Sequence, residues 1–460
     1  MRKFSAKNLL KTGNLLMKNI NVGLISLGCD KNRVDGEKLL AKVSESEKYS
    51  ITSDINEADV LIINTCSFLN ASRKEALDTV FENAGLKDGG RLKKIIMTGC
   101  LPQKFIDELY DALPEVDAFL GTYDGDKIIE AIDKALAGDR CNFVCCGKEL
   151  GEKRVITTPD HYAYLKIADG CSNHCTYCLI PKIRGPFKSR PIEEIVSEAK
   201  TLGELQEVIL VAQDTTKYGM DLYGEPKIIE LIHELSELET IKYIRLLYCY
   251  PELLTDELIS EIANNEKVIK YVDIPFQHAS DRILKLMNRK GTYKSYLALV
   301  RKLRKQVKGI AIRSTFIAGF PSETEEDFNI LLDFINKAKL TNAGFFAYSK
   351  EPDTPAYKLK GHLTKKVKDQ RVKALYKAQS QIAFAFTNSM VGKKLTVVCD
   401  GVDMQKQLFY GRAYFNAPEV DGKIYLTYPD KAIEQGKAYK VKINNAKGYD
   451  LFGEILYELT

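Results

Sequence analysis

From Val22 to about Leu136 short apolar runs alternate with amphipathic stretches. VGLISL, DVLIINT and KKIIMTG read as strands. VDGEKLLAKVSES, SRKEALDTVFENA and PQKFIDELYDAL carry apolar residues at helical spacing, the last with Pro102 in its first turn. This alternation predicts a doubly wound parallel sheet over 19–136. Residues 137–157 lose any period and read as a connector. A second αβ series follows over 157–388, with strands at YAYLKIA, EVILVAQ, YIRLLYC, YVDIPFQ, IAIRSTFIAGF and AGFFAYS. Six βα units in roughly 190 residues are too few for a closed eightfold barrel and predict a partial (β/α)6 barrel with its site at the strand carboxyl ends. Residues 364–389 read as a linking helix. After Gly392 the runs KKLTVVCD, FYGRAYFN, KIYLTYP, AYKVKINN and FGEILYEL, with turns such as Asp421-Gly422, predict a small antiparallel OB-like β-barrel over 390–460.

The cysteines fall at instructive places on this frame. Cys29, Cys66 and Cys100 each follow a strand of the first sheet, and ligands in such sheets collect outside strand carboxyl ends. Singly, each would read as a small buried hydrophobe. Three at equivalent positions, two of them preceded by glycine, point to one shared metal centre. Cys171, Cys175 and Cys178 form a CxxxCxxC loop directly after YAYLKIA. Structural zinc and ordinary iron–sulfur centres take four protein ligands, so three thiolates leave one metal position open. A zinc knuckle that borrows His174, or three free thiols, are the alternatives. Cys141, Cys145 and Cys146 lie in the aperiodic connector and read as structural or incidental thiols.

Polar residues at the strand ends of the second series are candidate cofactor contacts: Gln213 and Asp214, then Gln277 and His278. Asp214 and Ser280 would serve equally as helix caps, and His278 as a satisfied structural residue. Tyr177, between two cysteines, either packs on a cofactor or shields the metal centre from solvent.

The 460 residues suffice for about three domains. A formal charge of +5 implies no strong polyanion affinity by itself. Between Met390 and Thr460 ten Lys or Arg face nine Asp or Glu, less basic than an RNA-binding barrel would be. Eleven cysteines without a secretory signal favour a reducing, cytoplasmic compartment. The first twenty residues are basic and lack acids, which we read as a frayed terminus or a true start at Met17 in preference to a targeting peptide.

CxxxCxxC with this spacing resembles the radical S-adenosylmethionine enzymes. From about Asn19 to Thr460 the chain further resembles the methylthiotransferases of that superfamily. The resemblance is carried by SLGCDKNRVDGE, NTCSFLNASRKEALDT, TGC, GCSNHCTYCLIPKIRGPFKSR and IPFQHASDRILKLMNR, in that order. Gly-Cys-x-Lys-Asn at 28–32, VAQDTTKYG at 211–219 and IPFQHAS at 274–280 resemble the branch that modifies an aspartate of small-subunit ribosomal protein S-twelve.

Several expectations follow from that resemblance. Cys171, Cys175 and Cys178 would hold a radical-generating 4Fe–4S cluster, and Cys29, Cys66 and Cys100 an auxiliary one. S-adenosylmethionine would serve both as methyl donor and as radical source, and the carboxyl-terminal barrel would be a TRAM domain. Flavodoxin or ferredoxin would donate electrons. A tRNA-modifying methylthiotransferase and a non-enzymatic iron–sulfur electron carrier are the rival readings. Gly36 and Asp30 depart from the branch's usual Ser and Pro, which places the local turn in question.

Overall fold

The computed structural model describes residues 20–428 and 432–459; Met17 lies outside them. The described residues form two compact units, one within 1–159, 163–172 and 178–203, the other within 160–162, 173–177 and 204–460.

In the first unit six strands, β1 (Ile20–Ser26), β2 (Tyr49–Ile51), β3 (Val60–Thr65), β4 (Lys94–Gly99), β5 (Ala118–Phe119) and β6 (Cys141–Asn142), form a parallel sheet ordered β2-β1-β3-β4-β5-β6. The helices are α1 (Asp30–Ser44), α2 (Asn70–Ala84), α3 (Cys100–Ala112) and α4 (Ile128–Ala137). Alternate residues of the central strands face opposite cores. Val22, Val60, Ile62 and Ile96 pack with Leu39, Leu40, Ile128 and Ile132. Leu61, Ile63, Ile95 and Met97 pack with Ala76, Val80, Leu101 and Leu109. Covered on both faces, β3 is buried along its whole length, which is why it reads as a continuous apolar run.

Two details differ from the sequence reading. The connector contributes an edge strand, β6, too short to leave a periodic signature. Asp30 and Gly36 lie inside α1, not in a turn, and Asp30 places an acid in the helix's first turn, where the dipole favours it.

The chain then passes through β7 (Tyr162–Lys166), β8 (Ala168–Asp169), α5 (Ile180–Ile183), β9 (Lys188–Ser189) and α6 (Ile192–Thr201). The second unit contains β10 (Leu205–Val211), β11 (Ile241–Leu246), β12 (Val268–Asp273), β13 (Ala311–Ala318) and β14 (Asn342–Ala347). Its sheet runs β14-β13-β12-β11-β10 and is completed by β7, which the chain enters at Tyr162 of this unit. Six strands in sequential order make the expected partial barrel. Helices α7 (Ile228–Ser236), α8 (Asp256–Asn264), α9 (Asp281–Leu286), α10 (Tyr293–Gln306) and α11 (Glu325–Ala338) intervene. Reciprocal capping by Thr292 with Ser295, and by Thr324 with Asp327, starts α10 and α11.

After α12 (Lys365–Asn388) come β15 (Lys394–Asp403), β16 (Leu408–Arg412), β17 (Ile424–Thr427), β18 (Ala438–Lys447) and β19 (Asp450–Leu459), closed into a barrel ordered β15-β16-β17-β19-β18. Its pairs are antiparallel except β17–β19, which run parallel because β18 intervenes between them in the chain. Among the described residues no helix is long and apolar enough to cross a membrane.

The barrel is tied to the rest of its unit by buried charge. Glu207 of β10 receives Arg245 of β11 and Arg412 of β16, and Arg412 Nε also donates to Asp400 Oδ2 at 2.8 Å. His161 Nε2 lies 2.8 Å from the other Asp400 oxygen. Burial opposes the Glu207 carboxylate, but attraction to Arg245 and Arg412 outweighs it and holds its pKa down to about 2. Glu207 therefore stabilises the fold fully above its ordinary pKa of 4.5, and that contribution fades as pH falls towards 2. Glu207→Gln leaves two buried guanidinium groups without their carboxylate and is expected to cost about 3 kcal/mol. Denaturant unfolding at pH 7 measures that loss. At pH 3 the gap between variant and wild type should narrow.

Candidate functional site

The switch point of the first sheet lies between β1 and β3, and β4 follows on the same side. Cys29 caps α1, Cys66 follows β3, and Cys100 opens α3, so all three lie beyond the carboxyl ends of adjacent strands. Two glycines make this close approach possible. A Cβ on Gly28 (φ +88°) would meet Cys66 Cβ at 2.6 Å, and one on Gly99 (φ +95°) would meet Thr65 O at 2.6 Å. Both positions demand the left-handed backbone that only glycine adopts freely.

Asn32, fully buried, stitches the three loops together. Its Nδ2 donates to Leu27 O (3.2 Å) and Thr65 O (2.9 Å), just before the loops of Cys29 and Cys66. Its Oδ1 receives the Cys100 thiol at 3.5 Å and Arg184 Nη2 at 2.5 Å. Ser67 Oγ donates to Cys100 O at 2.9 Å.

Arg184 supplies the site's positive charge. It is buried, donating to Asp169 (2.7 Å) and Asp35 (2.8 Å) as well as to Asn32. Lys166 Nζ bonds the same two aspartates and Glu149. Burial pushes the Cys100 thiol up to about 12, against the pull of Arg184 and with the push of Cys66 and Cys29. Burial, then Cys29, also raises Cys66, while Phe68 N and the Ser72 side chain donate to it and work the other way. The three thiols thus lie within each other's electrostatic reach.

This donor set fits a polynuclear thiolate centre. Among the described residues no three His, Cys, Asp or Glu side chains are grouped to share a single ion. A four-iron cluster requires no such grouping, because each thiolate takes a different iron. A bound cluster would also reverse the burial penalty on the thiols, since metal ligation deprotonates them.

The CxxxCxxC loop begins one residue after Gly170. Within the first unit, Cys171 N donates to Gly185 O at 3.1 Å, and Ile180 N, at the start of α5, approaches Cys178 Sγ at 3.4 Å. Leu179 and Ile183 pack on Cys100. Within the second unit the segment 173–177 is clamped by the end of α9. Asn288 Nδ2 donates to His174 O (3.0 Å), and Thr176 N and Oγ1 donate to Met287 O (3.1 Å) and Leu286 O (2.8 Å). Arg289 brings a buried cation to Cys175, Nη1 to Sγ at 3.9 Å, and lies 4.0 Å over the Tyr250 ring. His174 is exposed with a left-handed backbone, away from any shared ion site.

The strand-end residues divide by placement. Asp214 is fully buried and receives Asn173 Nδ2 (2.8 Å) and Thr216 Oγ1 (2.7 Å), tying the cysteine loop to the end of β10. Gln213 is half-buried beside it. Gln277 takes a left-handed conformation (φ 71°) and bridges to β13, receiving Ile317 N and donating to Thr315 O. His278 is completely buried: Ser280 N donates to its Nδ1 at 3.0 Å, and its Nε2 lies 3.4 Å from a Glu323 oxygen. Glu323 in turn receives Gly319 N, Phe320 N and Arg371. His278 thus lies beside the carboxylate that holds the Gly319 turn. Tyr177 packs on Ile283, Met287, Phe320 and Tyr348.

Sequence reasoning missed Asn32, Arg184 and Arg289. The available signal was their position within a few residues of a cysteine or of the IPFQHAS–NR segment.

Comparison with known proteins bears on this arrangement. Residues 165–335 match the Radical SAM superfamily, 391–456 the TRAM domain, and 21–121 the Uncharacterized protein family UPF0004. The chain is 45% identical to the "Ribosomal protein uS12 methylthiotransferase RimO" of Lachnoclostridium phytofermentans over 94% of its own length and 99% of that protein. It is likewise 45% identical to the protein of that name from Clostridium kluyveri, over 96% and 99%. The chain belongs to the ribosomal protein uS12 methylthiotransferase family. Membership makes it a radical S-adenosylmethionine enzyme that uses S-adenosylmethionine and iron–sulfur chemistry. Among solved structures it resembles the radical S-adenosylmethionine methyltransferase TsrM of Kitasatospora setae, with a TM-score of 0.52 and 13% identity over 82% of this chain and 79% of that one. That likeness concerns the fold alone.

The two cradle glycines of this member of the uS12 methylthiotransferase family give the cysteine loops a direct test. Gly99→Ala is expected to cost about 2 kcal/mol or more, from backbone strain plus collision with Thr65 O. Gly89→Ala (φ +89°), with nothing within 4 Å, carries the strain alone and serves as the reference. Denaturation of both variants, with their iron content after anaerobic reconstitution, should show the larger loss of each at Gly99.

Proposed function

We propose that this chain transfers a methylthio group to the β-carbon of an aspartate in ribosomal protein uS12, using two cysteine-held clusters. The observation that carries the reading is the pairing of CxxxCxxC with three more cysteines at the ends of β1, β3 and β4. Cys171, Cys175 and Cys178 would hold one 4Fe–4S cluster, and Cys29, Cys66 and Cys100 the other. When bound, the first supplies the electron that cleaves S-adenosylmethionine to a carbon radical, and the second an open iron where sulfur is held for transfer.

The chain's own residues hold these loops in place. Asn32 fixes the spacing of the auxiliary cysteines, and Arg184 offsets the negative charge of thiolates in a buried site. Arg289 does the same for Cys175. Asp214 and Asn173 hold the cysteine loop against β10, where Gln213 and Gln277 offer polar groups to a cofactor. Tyr177 screens that loop from water by packing on the apolar cluster beneath it. A one-electron donor such as flavodoxin or ferredoxin, and a cytoplasmic setting, complete the reading. The near-neutral barrel suits a protein partner better than tRNA phosphates at that domain.

Cys66→Ala is expected to keep 5′-deoxyadenosine formation from S-adenosylmethionine and dithionite while losing methylthiolation of uS12. Cys175→Ala should lose both. Each variant should retain about four of about eight irons. Mass spectrometry of uS12 and of tRNA after incubation with the wild type decides the substrate: methylthio product on tRNA alone, or on uS12 treated with Cys66→Ala, contradicts the proposal.

A further inference from the structure

Positive charge is not spread evenly over the chain. Residues 350–377 hold nine Lys or Arg against three Asp or Glu, an excess larger than the +5 of the whole protein. The segment comprises the loop before α12 and the helix's first half, both in the second unit.

Two of the nine are used internally. Arg371 is buried against Glu323 (2.6 Å) and Glu325 (3.0 Å), and Lys368 donates to Tyr348 O (2.8 Å). Lys350 lies 4.5 Å over the Tyr357 ring. The other six, Lys358, Lys360, Lys365, Lys366, Lys373 and Lys377, are exposed, and no ion pair joins them to any described acidic residue.

The helix geometry gathers them. Arg371, Leu375, Gln379, Ala383 and Thr387 form the buried stripe of α12. Lys366, Lys373 and Lys377 recur at helical spacing on the opposite side, and Phe384, 38% exposed, continues that ridge. The preceding loop is held against the end of β14, with the His362 ring stacked 5.9 Å from Tyr348. Tyr357 stands exposed among the lysines, and Tyr376, though its ring packs on Phe345, leaves part of its surface open beside them. Like charges at i and i+4, as in Lys373 and Lys377, weaken a helix. The ridge therefore costs stability unless a polyanion meets it.

We infer that this ridge binds the phosphate backbone of ribosomal RNA, so that the enzyme engages uS12 within the small subunit. The inference rests on the function proposed above. Unpaired lysines with interleaved aromatic rings are the chemistry of RNA contact, the first for phosphates and the second for bases. The barrel, with a net charge of +1 from Met390 to Thr460, does not offer it. Isolated uS12 would present the ridge with no phosphate.

The test is binding of the full-length protein to purified small ribosomal subunits, to isolated uS12 and to tRNA, between about 50 and 200 mM salt. Subunit binding should weaken steeply with salt. The triple variant Lys366→Gln, Lys373→Gln, Lys377→Gln should bind subunits at least tenfold more weakly, with a log–log salt slope shallower by about 2–3. Its melting temperature, its 5′-deoxyadenosine production and its action on isolated uS12 should match wild type. Unchanged affinity and slope in the variant would overturn the inference, as would tRNA binding as tight as subunit binding. Failure of the wild type to modify uS12, with lysine-dependent subunit binding intact, would instead count against the proposed function alone.

Discussion

Arg184 carries a permanent positive charge into the interior of the first unit, where it meets Asp169, Asp35 and Asn32 within 2.8 Å. Burying a guanidinium is costly unless every donor finds an acceptor. Here the acceptors come from β8, from α1 and from the loop fastenings of the cysteines. The charge thus organises more than its own ion pairs. It makes Asn32 adopt one orientation, and Asn32 then sets the backbone on which Cys29 and Cys66 stand. It also lies within electrostatic reach of Cys100 and Cys29. A cysteine site held in this way depends on electrostatics outside its own motif.

The second unit uses the same strategy at a different place. Glu207 is the carboxylate on which Arg245 and Arg412 converge, while Tyr271 and Arg313 reach Asp421 from the sheet side. These contacts join the barrel to the strands through buried charge. Such pairs specify one docking geometry, because a displaced barrel would leave charges buried and unmatched.

Much of this was legible from the chain. Strands and helices of the first sheet follow from continuous apolar runs and helical spacing, and Cys29, Cys66 and Cys100 are visible as strand-end residues. Gly28 and Gly99 are also visible, though only the structure shows which neighbours forbid a side chain there. Arg184 and Arg289 were not legible as buried residues, because the acids or rings that compensate them lie far away in sequence. The polar stripe of α12, with Arg371, Gln379 and Thr387 facing inward, likewise hides a buried face behind residues that read as surface. The parallel β17–β19 pair escaped notice because alternation reports which face a residue takes, not which direction its neighbour runs.

That parallel pair has a consequence for how the protein is made. β19 is the last of the five barrel strands to emerge during synthesis, yet it lies between β17 and β18 and completes both pairings. Until it arrives, β17 has only β16 beside it and β18 only β15. The sheet of the second unit, by contrast, has all its strands well before then. A growing chain therefore carries a finished sheet and an open barrel at once, with exposed strand edges. Barrel closure therefore comes last, when β19 pairs with β17 on one side and β18 on the other.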